Sequence, residues 1–216
     1  MLTPPLKIDD SNRADHHYLR AEHECLFFYE FTSGQRAEHS PGNQLIRNLK
    51  KSVTRKHLSD YRYKNFAIAD SASLLNASFI KSAQVLANSI VCPIPPSKIP
   101  SDPEYDDRML QVAHKACYGT GGTCLEIIKQ TQTYAAAHLQ QGGARPKPND
   151  LEAIYQLSQP LTKSVVILVD DMLTTGAHFV AARNVILRAY PDARVIGFFM
   201  TRRALPDPAD EFDMLF

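Results

Sequence analysis

Residues 165–178, VVILVDDMLTTGAH, constrain the fold of this chain more than any other stretch. Val165, Val166, Ile167, Leu168 and Val169 form an aliphatic run with no polar alternation. A strand with one wet face alternates, whereas a strand covered by helices on both faces is apolar throughout. The run therefore predicts a central strand of a parallel sheet, and so an α/β fold. Asp170 and Asp171 follow at once, at the carboxyl end of that strand, where open α/β sheets bind ligands. Adjacent carboxylates there are costly without partners; vicinal sugar hydroxyls or a hydrated divalent cation have the right chemistry. Met172 and Leu173 lead into Thr174, Thr175, Gly176, Ala177 and His178, and Phe179, Val180, Val185 and Ile186 then recur at helical spacing. A helix N-terminus opening on a hydroxyl-bearing turn is an anion site, because its first amides lack intrahelical acceptors and the helix dipole favours negative charge. One short loop would hold a sugar diol and its phosphate together.

The wider chain is compatible with such a site. Its 216 residues, 44% hydrophobic, suffice for one core and its flanking segments. A formal net charge of +1 gives no global attraction to nucleic acid or anionic membrane. No apolar stretch reaches the roughly 20 residues that span a bilayer, and the N-terminus lacks the order of a secretory signal, so a cytoplasmic location is expected. Cys25, Cys92, Cys117 and Cys124 are irregularly spaced and read as reduced thiols. The sharper alternative is a metal site from His114, Cys117 and Cys124, completed by Cys25 and His23, although no Cys-x-x-Cys pair supports it.

Along the chain, residues 25–31 suit a strand or a short core segment, and Leu45, Ile46, Leu49 and Val53 predict an amphipathic helix with Arg47, Lys50, Lys51, Arg55 and Lys56 mostly on its other side. That basic side reads as a solvated face or as a contact for nucleic acid or an acidic partner. Residues 66–87 mix apolar clusters with Ser and Asn and end in a helix-like segment, and residues 89–95 predict a strand running into the loop Pro96, Ser97, Lys98. Asp106 and Asp107 suit the start of a helix whose apolar face is Met109, Val112, Ala113 and Ala116. GTGGT at 119–123 reads as a helix stop, since it lacks the Lys-Ser/Thr of a P-loop. Residues 131–150 have the composition of a mobile loop or a surface linker, with Tyr134, His138, Arg145 and Lys147 as its chemistry-bearing side chains. Residues 194–200 predict another buried strand, followed by Thr201, Arg202 and Arg203. The organisation expected is an N-terminal extension over 1–60 carrying the basic helix, a core over 61–205 and a tail over 206–216. The apolar end of that tail suits docking on a second copy or a protein partner.

On the strand, acidic pair and Thr-Thr-Gly turn of residues 165–177, the chain resembles the type I phosphoribosyltransferases. With the PIPPSK loop at 93–98 and the helix around 43–51, it looks most like their ComF-type members, and the likeness extends over residues 89–203. The resemblance implies a mostly parallel twisted sheet flanked by helices, with a small N-terminal α/β appendage. It also implies binding of phosphoribosyl pyrophosphate or a nucleotide with Mg²⁺, and transfer of ribose 5-phosphate to a base-like acceptor with release of pyrophosphate. Asp170 and Asp171 would hold the ribose hydroxyls and bear on the metal, through water or ribose. Residues 172–178 would hold the 5-phosphate, and Pro96, Ser97 and Lys98 the pyrophosphate. Arg108 and Arg145 would contact phosphate or the acceptor, and Arg202 or Arg203 either the acceptor or, through a salt bridge, the Asp-rich tail. His178 departs from the family, which carries Thr or Ser there. A four-cysteine zinc module found in fuller ComF-type members has no counterpart beyond Cys25, so a DNA-handling role does not carry over with it. A different class of function is also open: a catalytically silent sensor of phosphoribosyl pyrophosphate or nucleotide, in a bacterial DNA-uptake or defence setting. A third is a nucleic-acid-binding accessory protein acting through the basic helix.

Overall fold

The computed structural model describes residues 3–134 and 146–205; His138, Arg145 and the tail over 206–216 lie outside them. The described elements, in chain order, are β1 (Leu6–Lys7), β2 (Glu24–Thr32), α1 (Pro41–Leu49), α2 (Arg62–Lys81), α3 (Ala83–Ala87), β3 (Ser89–Pro93) and α4 (Arg108–Cys117). They continue as β4 (Thr123–Cys124), β5 (Ile128–Gln130), α5 (Pro148–Glu152), β6 (Tyr155–Leu157), β7 (Val165–Leu173), α6 (Ala177–Ala189) and β8 (Arg194–Ala204).

Six strands form one sheet in the order β1-β2-β8-β7-β3-β4, parallel except for the antiparallel edge strand β1. The protein is therefore α/β, with a mostly parallel sheet. Alternate residues of β7 point to opposite faces, as the strand period requires. Val166 and Leu168 join Phe179, Ala182 and Ile186 of α6 on one face. Ile167 and Val169 join α1, α2 and α4 on the other. Both faces of the central strand are thus dry, which is why its sequence does not alternate. Cys25 and Cys92 lie in the first layer and Cys117 and Cys124 pack against the second, so the four thiols are divided between the faces of the sheet.

Three expectations change. The segment over 1–60 is not an appendage: β2 pairs with β8 from Glu24 to Thr32 and is an integral strand of the main sheet. The stretch over 66–87, broken in sequence by Ser and Asn, lies mostly in the 20-residue helix α2. Its small polar residues do not break it, because Ser73 and Ser78 donate their hydroxyls to the carbonyls of Ala69 and Leu74 one turn back. The basic helix is shorter than its periodicity suggests, since α1 ends at Leu49. Ser40 caps its start by accepting from the Asn43 amide, and Asn43 pairs its side-chain amide with both backbone groups of Thr32. Gly42 lets α1 approach this closely, as a Cβ there would meet the Glu30 carbonyl oxygen at 2.0 Å. The docking fixes where the chain after Leu49, and with it Lys50, emerges.

Among the described residues no helix is long and apolar enough to cross a membrane.

Candidate ligand-binding cleft

The crevice arises from unequal strand lengths. Pairing of β3 with β7 ends at Pro93 opposite Val169, whereas β7 runs on beside β8 to Leu173 opposite Arg202. Asp170 and Asp171 therefore sit on a supported strand at the mouth of a gap. From β3 the chain crosses by α4 to β4 at one edge, and from β7 it crosses by α6 to β8 on the other side. Such a switch point is where open α/β sheets hold ligands.

A cleft of about 590 Å³ opens there. It brings Asp170 and Asp171 together with Met172, Thr174, Thr175, Ala177 and His178, with the Pro96, Ser97, Lys98 loop, and with Arg108. Leu173 is buried in the core behind them. Gly176 is the N-cap of α6, in the left-handed region at φ 85°. The outer side of the turn is braced by the N-terminal segment: the His16 ring bonds through Nδ1 to the Thr174 carbonyl, and the Tyr18 amide donates to the Thr175 carbonyl at 2.9 Å. A Cβ on Gly176 would lie 2.8 Å from a Leu19 methyl. Gly176→Ala is expected to lower stability by about 1–3 kcal/mol through this contact and backbone strain, and to weaken anion binding at the turn. A urea midpoint and a phosphate titration on the same variant check both effects.

The electrostatics are dominated by one chain of charges. Asp171, 4% exposed, accepts from Arg108 Nε at 2.9 Å and also from its Nη2, while Lys50 Nζ lies 3.2 Å from its other oxygen. Arg108 Nη1 donates to Asp106 at 2.7 Å. Lys64 Nζ donates to the same Asp106 oxygen at 2.6 Å and to the carbonyls of Leu49 and Lys51 at 2.6 and 2.8 Å. Lys64 is almost wholly buried, and all three of its protons are used. Burial works against its charged form and lowers its pKa, and Asp106 opposes that shift.

The two adjacent aspartates are driven apart. Burial, then the neighbouring charge of Asp171, raises the Asp170 carboxyl well above the usual range. Burial acts on Asp171 in the same sense, but Lys50 and Arg108 together outweigh it and hold that carboxyl well below the usual range. Asp171 is thus an ionised, cation-paired group, and Asp170 is the carboxyl without a direct ion pair among the described residues. Its Oδ1 accepts from the Asp171 amide at 2.7 Å.

His178 points its imidazole between two tyrosines, with Nε2 3.2 Å from the Tyr134 hydroxyl and Nδ1 3.0 Å from that of Tyr155. Desolvation lowers its pKa to about 4, so it adds no positive charge to the turn at neutral pH. Lys98 lies at the cleft, 3.4 Å from both Asp102 and Glu104, and the Ser97 carbonyl accepts from the Tyr134 amide and from Gln130.

Arg202 does not face an acceptor. It is 9% exposed, pairs with Asp15 and Glu30, and lies over the Phe27 ring, which pins the N-terminal segment to β2 and β8. Sequence reasoning missed Lys50 and Lys64 as parts of the site. The helical periodicity of 45–53 runs past the end of α1 and groups Lys50 with the basic side, a solvated face or a partner contact, and Lys64 sits in a stretch without a motif. Asp106, whose helix-start position is a sufficient reason for it in sequence, instead bridges Lys64 and Arg108.

Compared with models of known protein families and with curated proteins, the chain matches none.

Proposed function

We propose that the cleft binds phosphoribosyl pyrophosphate or a nucleotide with Mg²⁺, and that the chain is a type I phosphoribosyltransferase-like protein transferring ribose 5-phosphate to a base-like acceptor. One observation carries this reading: the acidic pair, the turn at the start of α6 and the 96–98 loop line a single crevice at the switch point of the sheet. Asp170 fits the ribose hydroxyls or a hydrated cation, since its burial disfavours an unpaired charge. Asp171 fits the same role less directly, because Arg108 and Lys50 already occupy both of its oxygens. Mg²⁺ near Asp170 would offset the charge gathering on departing pyrophosphate. The turn at 174–178 would hold the 5-phosphate with backbone amides and threonine hydroxyls. Among the described residues, Lys50, Lys98 and Arg108 are cations of the cleft wall that would face the pyrophosphate. The first step would break the bond from the anomeric carbon to pyrophosphate, leaving an oxocarbenium-like ribosyl centre beside the carboxylates, and needs no covalent work from a side chain.

Calorimetry with phosphoribosyl pyrophosphate and Mg²⁺, on the native protein and on Asp170→Asn/Asp171→Asn, tests the reading. The native protein is expected to bind and the double variant to lose at least about a hundredfold in affinity, the scale of removing charge-assisted contacts. A native protein that does not bind overturns it.

The self-pairing of Asp171 with Lys50 and Arg108 favours a second reading, a ligand sensor that controls a partner without turnover. Such a site admits an anionic ligand by exchanging partners, which by itself produces no chemistry. Release of pyrophosphate in the presence of base acceptors separates the enzyme from the sensor.

A further inference from the structure

His178 stands second in α6, beside the anion turn, and its two ring nitrogens meet two tyrosine hydroxyls. A neutral imidazole carries one N–H and one lone pair, so one tyrosine donates to the ring and the other receives from it. The environment decides which. Tyr155 is 3% exposed, and among the described residues its hydroxyl reaches only His178 Nδ1. Were it the receiver, its own proton would be buried without an acceptor, at the full desolvation cost of that group. Tyr155 therefore donates to Nδ1, the proton of the ring resides on Nε2, and Nε2–H donates to the Tyr134 oxygen. Tyr134 is only half-buried and lines the cleft. Its O–H is the one proton of this tyrosine–imidazole–tyrosine relay that has no acceptor among the described residues. The Tyr134 backbone is fixed as well, because its amide donates to the Ser97 carbonyl at 3.1 Å. One residue thus ties the 96–98 loop to the start of α6, and its hydroxyl is oriented by a relay rather than by free rotation.

We infer that Tyr134 is a ligand-contacting residue whose hydroxyl donates a hydrogen bond to a phosphate-ester oxygen held at the 174–178 turn, with His178 and Tyr155 acting as positioning residues. This rests on the phosphosugar reading of the cleft. A threonine at 178 would place a hydroxyl on the turn itself, whereas the imidazole hands that task to a side chain from across the cleft. The site then favours a ligand with an acceptor oxygen at that point, and a sugar lacking the phosphate gains nothing from it.

Two measurements test the inference. In ¹⁵N-edited NMR of the native protein, His178 is expected as the Nε2–H tautomer, and an Nδ1–H tautomer overturns the relay. Calorimetry with ribose 5-phosphate and Mg–phosphoribosyl pyrophosphate compares the native protein with Tyr134→Phe, which keeps the ring. A loss of about tenfold for both ligands is expected, the scale of one hydrogen bond to a charged group, and Tyr155→Phe is expected to shift the His178 ¹⁵N signals as its donor disappears. If the native protein binds and Tyr134→Phe binds equally well, the inference falls and the phosphosugar reading stands. If the native protein binds neither ligand, both fall.

Discussion

Lys64→Met is expected to cost the protein about 3–5 kcal/mol, the scale of breaking a buried ion pair by removing one partner. For a chain of this size each kcal/mol moves the midpoint by roughly 2–4 °C, so a thermal melt at neutral pH should shift down by roughly 6–20 °C. The size follows from what Lys64 holds. Its ammonium satisfies the Leu49 and Lys51 carbonyls at the end of α1 and one oxygen of Asp106. Methionine fills the space but takes the ammonium donor from the Leu49 and Lys51 carbonyls, and Asp106 keeps only Arg108 for its charge. Adding Asp106→Asn should return about 1 kcal/mol or more, because the carboxylate that has lost one of its two cations is then gone. A loss below about 1 kcal/mol in the single variant would mean that the ammonium is dispensable. Lys64 bonds to no residue of the turn directly, so any loss of ligand affinity in this variant arises through Asp106 and Arg108 or through the Leu49–Lys51 backbone that carries Lys50.

Asp170→Asn should move stability and binding in opposite directions. The folded protein raises the Asp170 pKa above its ordinary value. Between the unfolded carboxyl near 3.9 and that raised value, the folded state binds more protons, so this group's contribution to stability falls as pH rises and stays unfavourable above both. Asp171 has the reverse sign. Its pKa is depressed, so its contribution is fully present above about pH 4 and is lost as pH falls toward the depressed value. An amide at 170 removes the first penalty and leaves the second contribution in place. The variant should therefore melt higher than the native protein at pH 7.5, by about 1–2 kcal/mol, and keep its acid sensitivity. It should also lose Mg-dependent binding of phosphoribosyl pyrophosphate, since the ligand engages the ionised carboxylate. For the same reason the native protein should release protons on binding near neutrality, which calorimetry in buffers of different ionisation enthalpy detects. A less stable Asp170→Asn variant would show that the site is not strained by this carboxylate.

The legible parts of the chain were those whose chemistry is local. The aliphatic run, the acidic pair and the Thr-Thr-Gly turn announce a central strand, its carboxyl end and a helix start within 14 residues, and the structure places them in that order. The helix face of Met109, Val112, Ala113 and Ala116 was likewise readable, because burial imposes its period on the sequence. What was not readable depends on distant pairing. Nothing in residues 25–31, CLFFYEF, says that they will lie beside residues 197–203, and nothing near Lys64 says that it will meet Asp106. Arg202 follows the apolar run 194–200 in sequence but lies inside β8, where β2 supplies Glu30 and the preceding N-terminal segment supplies Asp15.

The position of β8 between β2 and β7 bears on how the chain is made. β2 emerges early in synthesis, but its parallel partner comes far later; the Arg194–Glu24 ion pair closes a separation of 170 residues. Until β8 arrives, a nine-residue strand carries an open edge, the kind that recruits other chains. High sequence separation also slows pairing, because loop closure must precede the contacts that reward it. Shortening the chain before residue 194 removes an interior strand rather than trimming an edge, so nascent or truncated forms are expected to depend on chaperones and to aggregate, whatever the state of the cleft.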